Sequence, residues 1–583
     1  MKTTFRFRAA PALLLALAVC LGLSGCSFWE EPGEQAAETA QAAEPVQKSA
    51  AVASLQNKLM EDRRIYADDK ADSVVTFYLT ITEDNLTGDP ALTWNELNGI
   101  RNAQENTDDK KVNVLIQEGN ETGPASGMLG YGETRPNGEL SLRGKSTLQG
   151  AQKSYKIKLF DEAGVWRDQT TINLLKHIYD FSRVRNTLSM DYFKLIPNMT
   201  SYRTQFVHLY VKDMTSGETN PVFVDYGLYE QIEQPNKRYL RARGLDPNGQ
   251  LYKAENFEFF RYADKLISAD DADYDQAAFE SVLEIKGSKD HEKLLRMLDD
   301  VNNLSLNFDE VFDRHFDRDN YLTWMASNIL MDNIDTISQN FLLYSPLNSD
   351  TWFFLPWDYD GGWGYNEFAH ADELDQARAP WMRGIQNYWG TVLANRFFKN
   401  PDNVQQLIDK VKELQTIIHP ERTAAFLDTY RDVVYPYISR QPDMLYLPGS
   451  VKDYDAELER IAGLPEKNAE QFIANLQKPM PFFMGDVEQD GPNAVFRWDA
   501  SYDLQGDDLI YRFRIAKDPT FAKPLVDRDG LTVTSLTIEN LEMGRYFWQV
   551  TATDAEGNSM PAFDIYEGTD DIKHYGVREF YID

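Results

Sequence analysis

The sequence predicts an α+β body of two lobes followed by an all-β sandwich. Three changes of texture carry that expectation. From about Ser73, short β-like runs alternate with Asn, Gly, Asp and Pro. From about Asn236, apolar residues recur at helical spacing. From about Pro479, short strands return with turns between them. The expected divisions are a leader over 1–25, a tether over 26–55, a β-rich first lobe over 56–235, a helical second lobe over 236–478 and the sandwich over 479–583.

The leader reads as an export signal. Lys2, Arg6 and Arg8 precede an apolar run from Ala9 to about Leu23, which is short for a membrane-spanning helix. It ends Leu23-Ser24-Gly25-Cys26, which resembles a bacterial lipobox and implies cleavage before Cys26 and lipidation of its thiol. The other cysteine, Cys20, lies inside the leader, so a mature chain could form no internal disulfide and offers no cysteine metal site. The following EEPGEQAAETAQAAEPVQKSA has little to bury and reads as a flexible tether. A net charge of -33 argues against nonspecific nucleic-acid binding.

In the first lobe, VVTFYLTI, KVNVLIQEG, GELSLRG and KSYKIKLF read as strands, as do FVHLYVKD and FVDYGLYEQIE. Between them, TINLLKHIYDFSRVRNTLSMDYFKLI has helical spacing. In the second lobe, HEKLLRMLDDVNNL, FDRDNYLTWMASNILMD and NVQQLIDKVKELQTII are amphipathic helices. They are interrupted by one hairpin, NFLLYSPLNSDTWFFLPWDYDGG, whose two apolar runs flank Pro-Leu-Asn-Ser-Asp. In the last segment, WDASYDLQGDDLIYRFRIA and GRYFWQVTATDAEGN resemble a fibronectin type III-like module, with Trp498 and Tyr511 in its core.

The stretch Asp332 to Gly364 carries the chemistry. Phosphoryl transfer needs a carboxylate to orient or deprotonate the acceptor hydroxyl, and another to hold the metal that bridges nucleotide phosphates. Protein kinases present these as Asp-x4-Asn before a hairpin and an Asp after it. Here Asp335 and Asn340 have that spacing, and Asp358, Asp360 and Gly361-Gly362 follow the hairpin. The same residues also read as turn formers, a strand cap, or a structural cation loop, although the distal Glu of an EF-hand is missing. Lys156 and Lys158 share one strand face and are candidates to hold phosphates, with Lys153 a near alternative; a solvated lysine face fits equally. Glu233 and Gln234, in the connection between lobes, would lie near a nucleotide base. Trp352 could stack on adenine or fill the core.

LRGKSTLQGAQKSYKIKL, DFSRVRNTLSMDYF, FVDYGLYEQIEQ, GQLYKAEN, DNIDTISQNFLLY and FLPWDYDGGWG together resemble the CotH kinase-like family over roughly residues 75–440. The resemblance implies a two-lobed atypical protein-kinase-like domain that uses ATP and a divalent metal, Mg2+ or Mn2+. It makes Asp335 the catalytic aspartate, Asp358 the metal-binding one, Trp352 the adenine-stacking aromatic and Tyr252 its partner. Asn340 as a second metal ligand follows from the kinase analogy, with Asp360 beside it. Where the family reads RGNSS, this chain has Arg143-Gly144-Lys145-Ser146-Thr147. Asp180, Arg183 and Arg185 are expected to form a network on the first-lobe helix. The expected function is a lipid-anchored kinase of the bacterial envelope, acting on Ser, Thr or Tyr of exported or surface proteins. Its membrane contact would be through Cys26, with polysaccharide contact open to the last module. The alternative is a non-catalytic adhesin, carbohydrate-binding or envelope-assembly lipoprotein that keeps the fold.

Overall fold

The computed structural model describes residues 58–582 apart from 108, 366–377 and 570–571. The leader, Cys26 and the tether lie outside the described residues. Among those described, no helix is long and apolar enough to cross a membrane.

The first lobe is a closed ring of strands. These are β1 (Val74–Ile81), β2 (Lys111–Asn120), β3 (Gly123–Pro124), β4 (Gly138–Arg143), β5 (Ser154–Leu159), β6 (Thr171–Leu175), β7 (Thr204–Asp213) and β8 (Val224–Ile232). They run β1-β7-β8-β6-β5-β4-β2, and β1 pairs again with β2, so the sheet closes, with β3 attached to β2. Only β1 and β7 are parallel. Alternation fills the ring. Tyr155, Ile157 and Leu159 of β5 point into a core with Phe77, Val114, Leu140, Ile172 and Leu209, while Lys156 and Lys158 point outward. Each fully buried aliphatic side chain there contributes about 1.5–3 kcal/mol.

The structure corrects the first-lobe helix. Thr171–Leu175 is strand β6, not helix; β-branched Thr171 and Ile172 suit a strand, and β6 bridges β5 and β8. Positive φ angles at His177 (48°) and Arg183 (62°) prevent helix before Arg185. The helix itself spans Arg185–Phe193 and is buried on nearly every side. Its Leu188, Met190, Tyr192 and Phe193 belong to the core of the second lobe. The Tyr192 hydroxyl bonds Thr423 Oγ1 at 2.6 Å, and Tyr430 donates to Asp191 at 2.5 Å.

The second lobe packs helices Glu292–Asn302, Arg318–Leu330, Pro401–Gln415, Pro420–Ile438 and Tyr454–Asn475 around that core. The expected hairpin is β11 (Phe341–Ser345) with β12 (Phe353–Pro356), but it does not stand alone. β9 (Gln250–Ala254) pairs with β11, and β10 (Leu283–Ile285) with β9, giving the order β10-β9-β11-β12. Every residue of β11 and β12 is buried, which an isolated two-stranded hairpin could not achieve.

The lobes are joined by buried charge. Asp180 and Glu457 both accept from Arg185, and Glu457 also pairs with Arg460 at 2.7 Å. Arg183 instead donates to the carbonyls of Lys176 and His177. Lys176 pairs with Asp443 at 2.7 Å, both side chains inaccessible.

The last segment is a two-sheet β sandwich. β13 (Glu488–Asp490), β14 (Asn493–Arg497) and β17 (Ser535–Glu539) form one sheet. β15 (Ile510–Ala516), β16 (Val526–Leu531) and β18 (Gly544–Thr553), with Ser559–Pro561 and Val577–Ile582, form the other. Trp498 and Tyr511 lie in its core beside Phe496, Phe513 and Trp548.

Candidate active site

The helix Arg318–Leu330 ends in a pinned turn that carries Asp335. Asp332, in the left-handed region at φ 49°, is clamped by Arg378 at 2.7 and 2.9 Å. The Thr336 hydroxyl bonds that of Tyr388 at 2.6 Å, and Asn387 donates to the Ile334 carbonyl at 3.2 Å. Asp335 is thus held from beneath. Gln339 Nε2 and Asn340 Nδ2 each donate to one of its carboxylate oxygens at 2.7 Å, which fixes its rotamer.

Beyond β12 the chain alternates between core and cleft. Trp357 and Tyr359 are buried. Tyr359 donates its N–H to Asn186 Oδ1 at 3.1 Å and its hydroxyl to Asn328 Oδ1 at 2.7 Å. Asp358, forced to φ 57°, and Asp360 lie on the other side. Gly361 brings this loop against the Asp335 turn: a Cβ there would sit 3.6 Å from Asp335 Cβ. Hence the acids before and after the hairpin come together.

Their electrostatics are those of a crowded anionic site. Asp335 keeps solvent access at the mouth of the cleft, yet the protein around it raises its carboxyl to about 6. The Gln339 and Asn340 hydrogen bonds oppose the shift, and the Asp360 charge adds to it. Burial also pushes Asp358 well above the carboxylate range, reinforced by Asp360 and opposed by Arg143, Lys253 and His177. Burial works against charge on His177, but Asp360 (3.1 Å) and Glu230 (2.5 Å) hold one ring nitrogen each and bring its pKa up to about 10. Glu230 is in turn held by Asn186 at 2.7 Å.

Arg143 stands over the acids. Its guanidinium lies 5.4 Å from the Trp357 ring, and its Nη1 is buried with no hydrogen-bond partner. Asp358 and Asp360 are the strongest charges opposing the effect of its burial. A cationic donor aimed at crowded carboxylates suits a ligand carrying both phosphate and a divalent metal. Asp358 takes no hydrogen-bond donor among the described residues, and its burial and the Asp360 charge outweigh the cations around it. Asp358 and the neighbouring Asp360 offer carboxylate oxygens of the kind a hard cation takes.

Several expected residues lie elsewhere. Lys158 is exposed and 3.9 Å from Glu139 on the outer face of the ring, away from the acids. Lys153 is turned inward to the carbonyls of Ile100 and Leu148. Lys156 remains at the rim: burial lowers its pKa, Lys286 and Arg143 add to that, and Glu284 opposes it. Glu233 is held on both oxygens, by Arg203 (2.6 Å) and Arg243 (2.7 Å). Gln234 accepts from Asn173 at 3.1 Å. Tyr252 and Trp352 are neighbours at 6.0 Å between centroids, but both are 0% exposed, so neither offers a ring face for stacking. Sequence reasoning did not single out the side chains of Arg143, His177, Glu230 and Lys253. The signal for Arg143 and Lys253 was present in LRGKS and GQLYKAEN, where the loop and the aromatic drew the attention.

Residues 140–470 match the family described as CotH kinase protein. Inner spore coat protein H of Bacillus subtilis (strain 168) is 23% identical over 336 residues, covering 55% of this chain and 87% of that protein. Among solved structures, the Helicobacter pylori proinflammatory kinase CtkA aligns at 11% identity over 55% of this chain and 91% of its own, with a TM-score of 0.25. The fibronectin type-III domain of human fibronectin type III domain containing protein 3 aligns at 19% identity over 18% of this chain and 85% of its own, with a TM-score of 0.14.

Proposed function

The chain belongs to the CotH kinase protein family, and from that premise we propose that it transfers the γ-phosphate of ATP to a hydroxyl of a protein. The observation that carries this reading is the convergence of Asp335 with Asp358 and Asp360 beneath the unpartnered Arg143 guanidinium. Asp335 orients the acceptor hydroxyl and takes its proton as the new bond from oxygen to the γ-phosphorus forms and the bond to the β-phosphate oxygen breaks. Gln339 and Asn340 keep its carboxylate aimed. Asp358, with Asn340 and Asp360, would hold Mg2+ or Mn2+. The chemistry such a metal would supply there is neutralisation of the phosphate charge. Arg143 would face the phosphate oxygens, with Lys253, paired with Glu255 at 2.5 Å, and Lys156 as further cations for them.

The export signal and the Leu23-Ser24-Gly25-Cys26 string support placing this activity outside the cytoplasm on a lipid anchor at Cys26, with exported or surface proteins as acceptors. A non-catalytic surface or envelope-assembly lipoprotein is the second reading. The closed faces of Tyr252 and Trp352 favour it, because they leave the base without its expected platform.

Autophosphorylation decides between the two readings. The purified full chain is incubated with labelled ATP and magnesium or manganese beside Asp335→Ala and Asp358→Ala. Metal-dependent label lost in both variants supports the kinase. No label, together with no nucleotide binding by calorimetry, supports the second reading.

A further inference from the structure

Two loops at one end of the sandwich share a pattern. Asp503-Leu504-Gln505-Gly506-Asp507 precedes β15, and Asp554-Ala555-Glu556-Gly557-Asn558 follows β18. In each, a glycine takes a left-handed φ (83° at Gly506, 90° at Gly557), and the first aspartate's Oδ1 accepts two backbone N–H groups. Gln505 and Asp507 donate to Asp503 at 2.8 and 3.1 Å, and Glu556 and Asn558 to Asp554 at 2.9 and 2.8 Å.

The loops differ at the fifth position, and the difference matters. Asn558 turns its amide onto Asp554 Oδ2 at 2.9 Å. The Asp507 side chain has no N–H to give, and Asp503 Oδ2 is left buried without a partner in a residue only 5% exposed. Carboxylate oxygens of Asp503, Asp507 and Asp554 all lie within 4.8 Å of one another. Among the described residues, no lysine or arginine pairs with any of them. Three carboxylates so close, one with a bare buried oxygen, need a cation between them.

We propose that Asp503, Asp507 and Asp554 form a calcium site that fastens the sandwich to the helical lobe. The donors are all hard oxygens, with no histidine or thiolate, which excludes the softer transition metals as preferred occupants. Carboxylates from two separate loops give the irregular, oxygen-rich surroundings that Ca2+ accepts and Mg2+, with its strict octahedron, does not. Both loops also reach the end of the last body helix: Gln505 donates to the Leu476 carbonyl and Asn558 to that of Gln477, each at 3.1 Å. Beside them, Tyr502 stacks on Trp389 at 5.5 Å and accepts the Met480 N–H at 2.7 Å. A cation joining the loops therefore also fixes the junction. This site is independent of the acids around Asp358.

Calcium is titrated calorimetrically into the EDTA-treated full chain without nucleotide, and melting is followed with and without calcium. The wild type is expected to bind calcium and to melt several degrees higher with it, as a ligand of the native state requires, and that rise should persist in Asp358→Asn, which removes any calcium taken up by the acids around Asp358. Asp507→Asn supplies the amide that the Asp503 loop lacks. It should melt without calcium at or above the wild-type temperature, bind calcium at least tenfold more weakly, and lose the calcium-induced rise. Asp503→Asn should lose the rise as well. Wild type that shows neither heat nor a shift, or Asp507→Asn that binds as wild type does, overturns the site. An equal response to magnesium overturns its assignment to calcium.

Discussion

Around Arg185 and around Asp358 the protein buries charge in two different ways. Arg185 sits between Asp180 and Glu457, and Arg460 completes the set, so two cations meet two anions. Burial alone would push the Asp180 carboxyl up, but the Arg185 charge prevails and holds it below the usual range. Around Asp358 the sign is reversed. Burial drives its carboxyl upward and the Asp360 charge adds to that, against Arg143, Lys253 and His177. The closed set joins the Arg185–Phe193 helix to the Tyr454–Asn475 helix. The open one leaves carboxylates crowded together, the arrangement that marks functional sites.

That contrast can be broken at its ends. Asp358→Asn should lower phosphotransfer by ~10²–10³-fold, the scale at which removing a transition-state electrostatic group acts, while melting at or above the wild-type temperature. A melting point several degrees lower would make Asp358 a structural acid. Arg185→Met should do the opposite. Leaving Asp180 and Glu457 buried without their cation costs about 3–5 kcal/mol, read by denaturant unfolding, and label incorporation should fall only with the folded fraction. Adding Glu457→Met should recover part of that loss; a further loss instead would dissolve the distinction.

Smaller effects sharpen the comparison. Burial lowers the pKa of His291 to about 4 from an ordinary 6.5, where its ring meets the Tyr252 hydroxyl at 2.8 Å and stacks on Phe279 at 4.1 Å. As pH falls through 6.5 the unfolded chain takes the proton first. Stability should therefore decline from pH 6.5 down to 4 and level off below it. His291→Gln should flatten that slope in melting curves taken across the window; an unchanged slope would clear His291 of the effect. Last, Lys158→Ala should shift stability by no more than ~0.5 kcal/mol and leave labelling alone, whereas Lys156→Ala should raise the KM for ATP. Equal behaviour would show that the ring's outer face takes no part.

What could be read from sequence was what is local in sequence. The Asp335–Asn340 spacing, the hairpin and the Asp358–Gly362 run lie within one continuous stretch, so their order alone suggested their proximity. Arg143, His177 and Glu230 come from β4, the segment after β6 and β8, and only closure of the ring brings them to the acids. The Thr171–Leu175 strand was hidden by helical spacing that runs into the true helix, and the positive φ angles that separate the two have no reliable sequence sign. The resemblance pairs Tyr252 with Trp352, and they are neighbours, but the burial of Tyr252 depends on β10 and His291, which lie far from both in sequence. Glu233 was read from its position between lobes, where Arg203 and Arg243, distant in sequence, had already engaged it.

The Arg185–Phe193 helix follows the first-lobe strand β6 in sequence but packs in the second lobe's core, tied there by Tyr192, Asp191 and Arg185. A hinge between the lobes would have to pull this helix out of a close-packed interior. The cleft over Asp358 thus has walls that cannot part freely. A ligand held by these acids would have to reach them with the two lobes already in place.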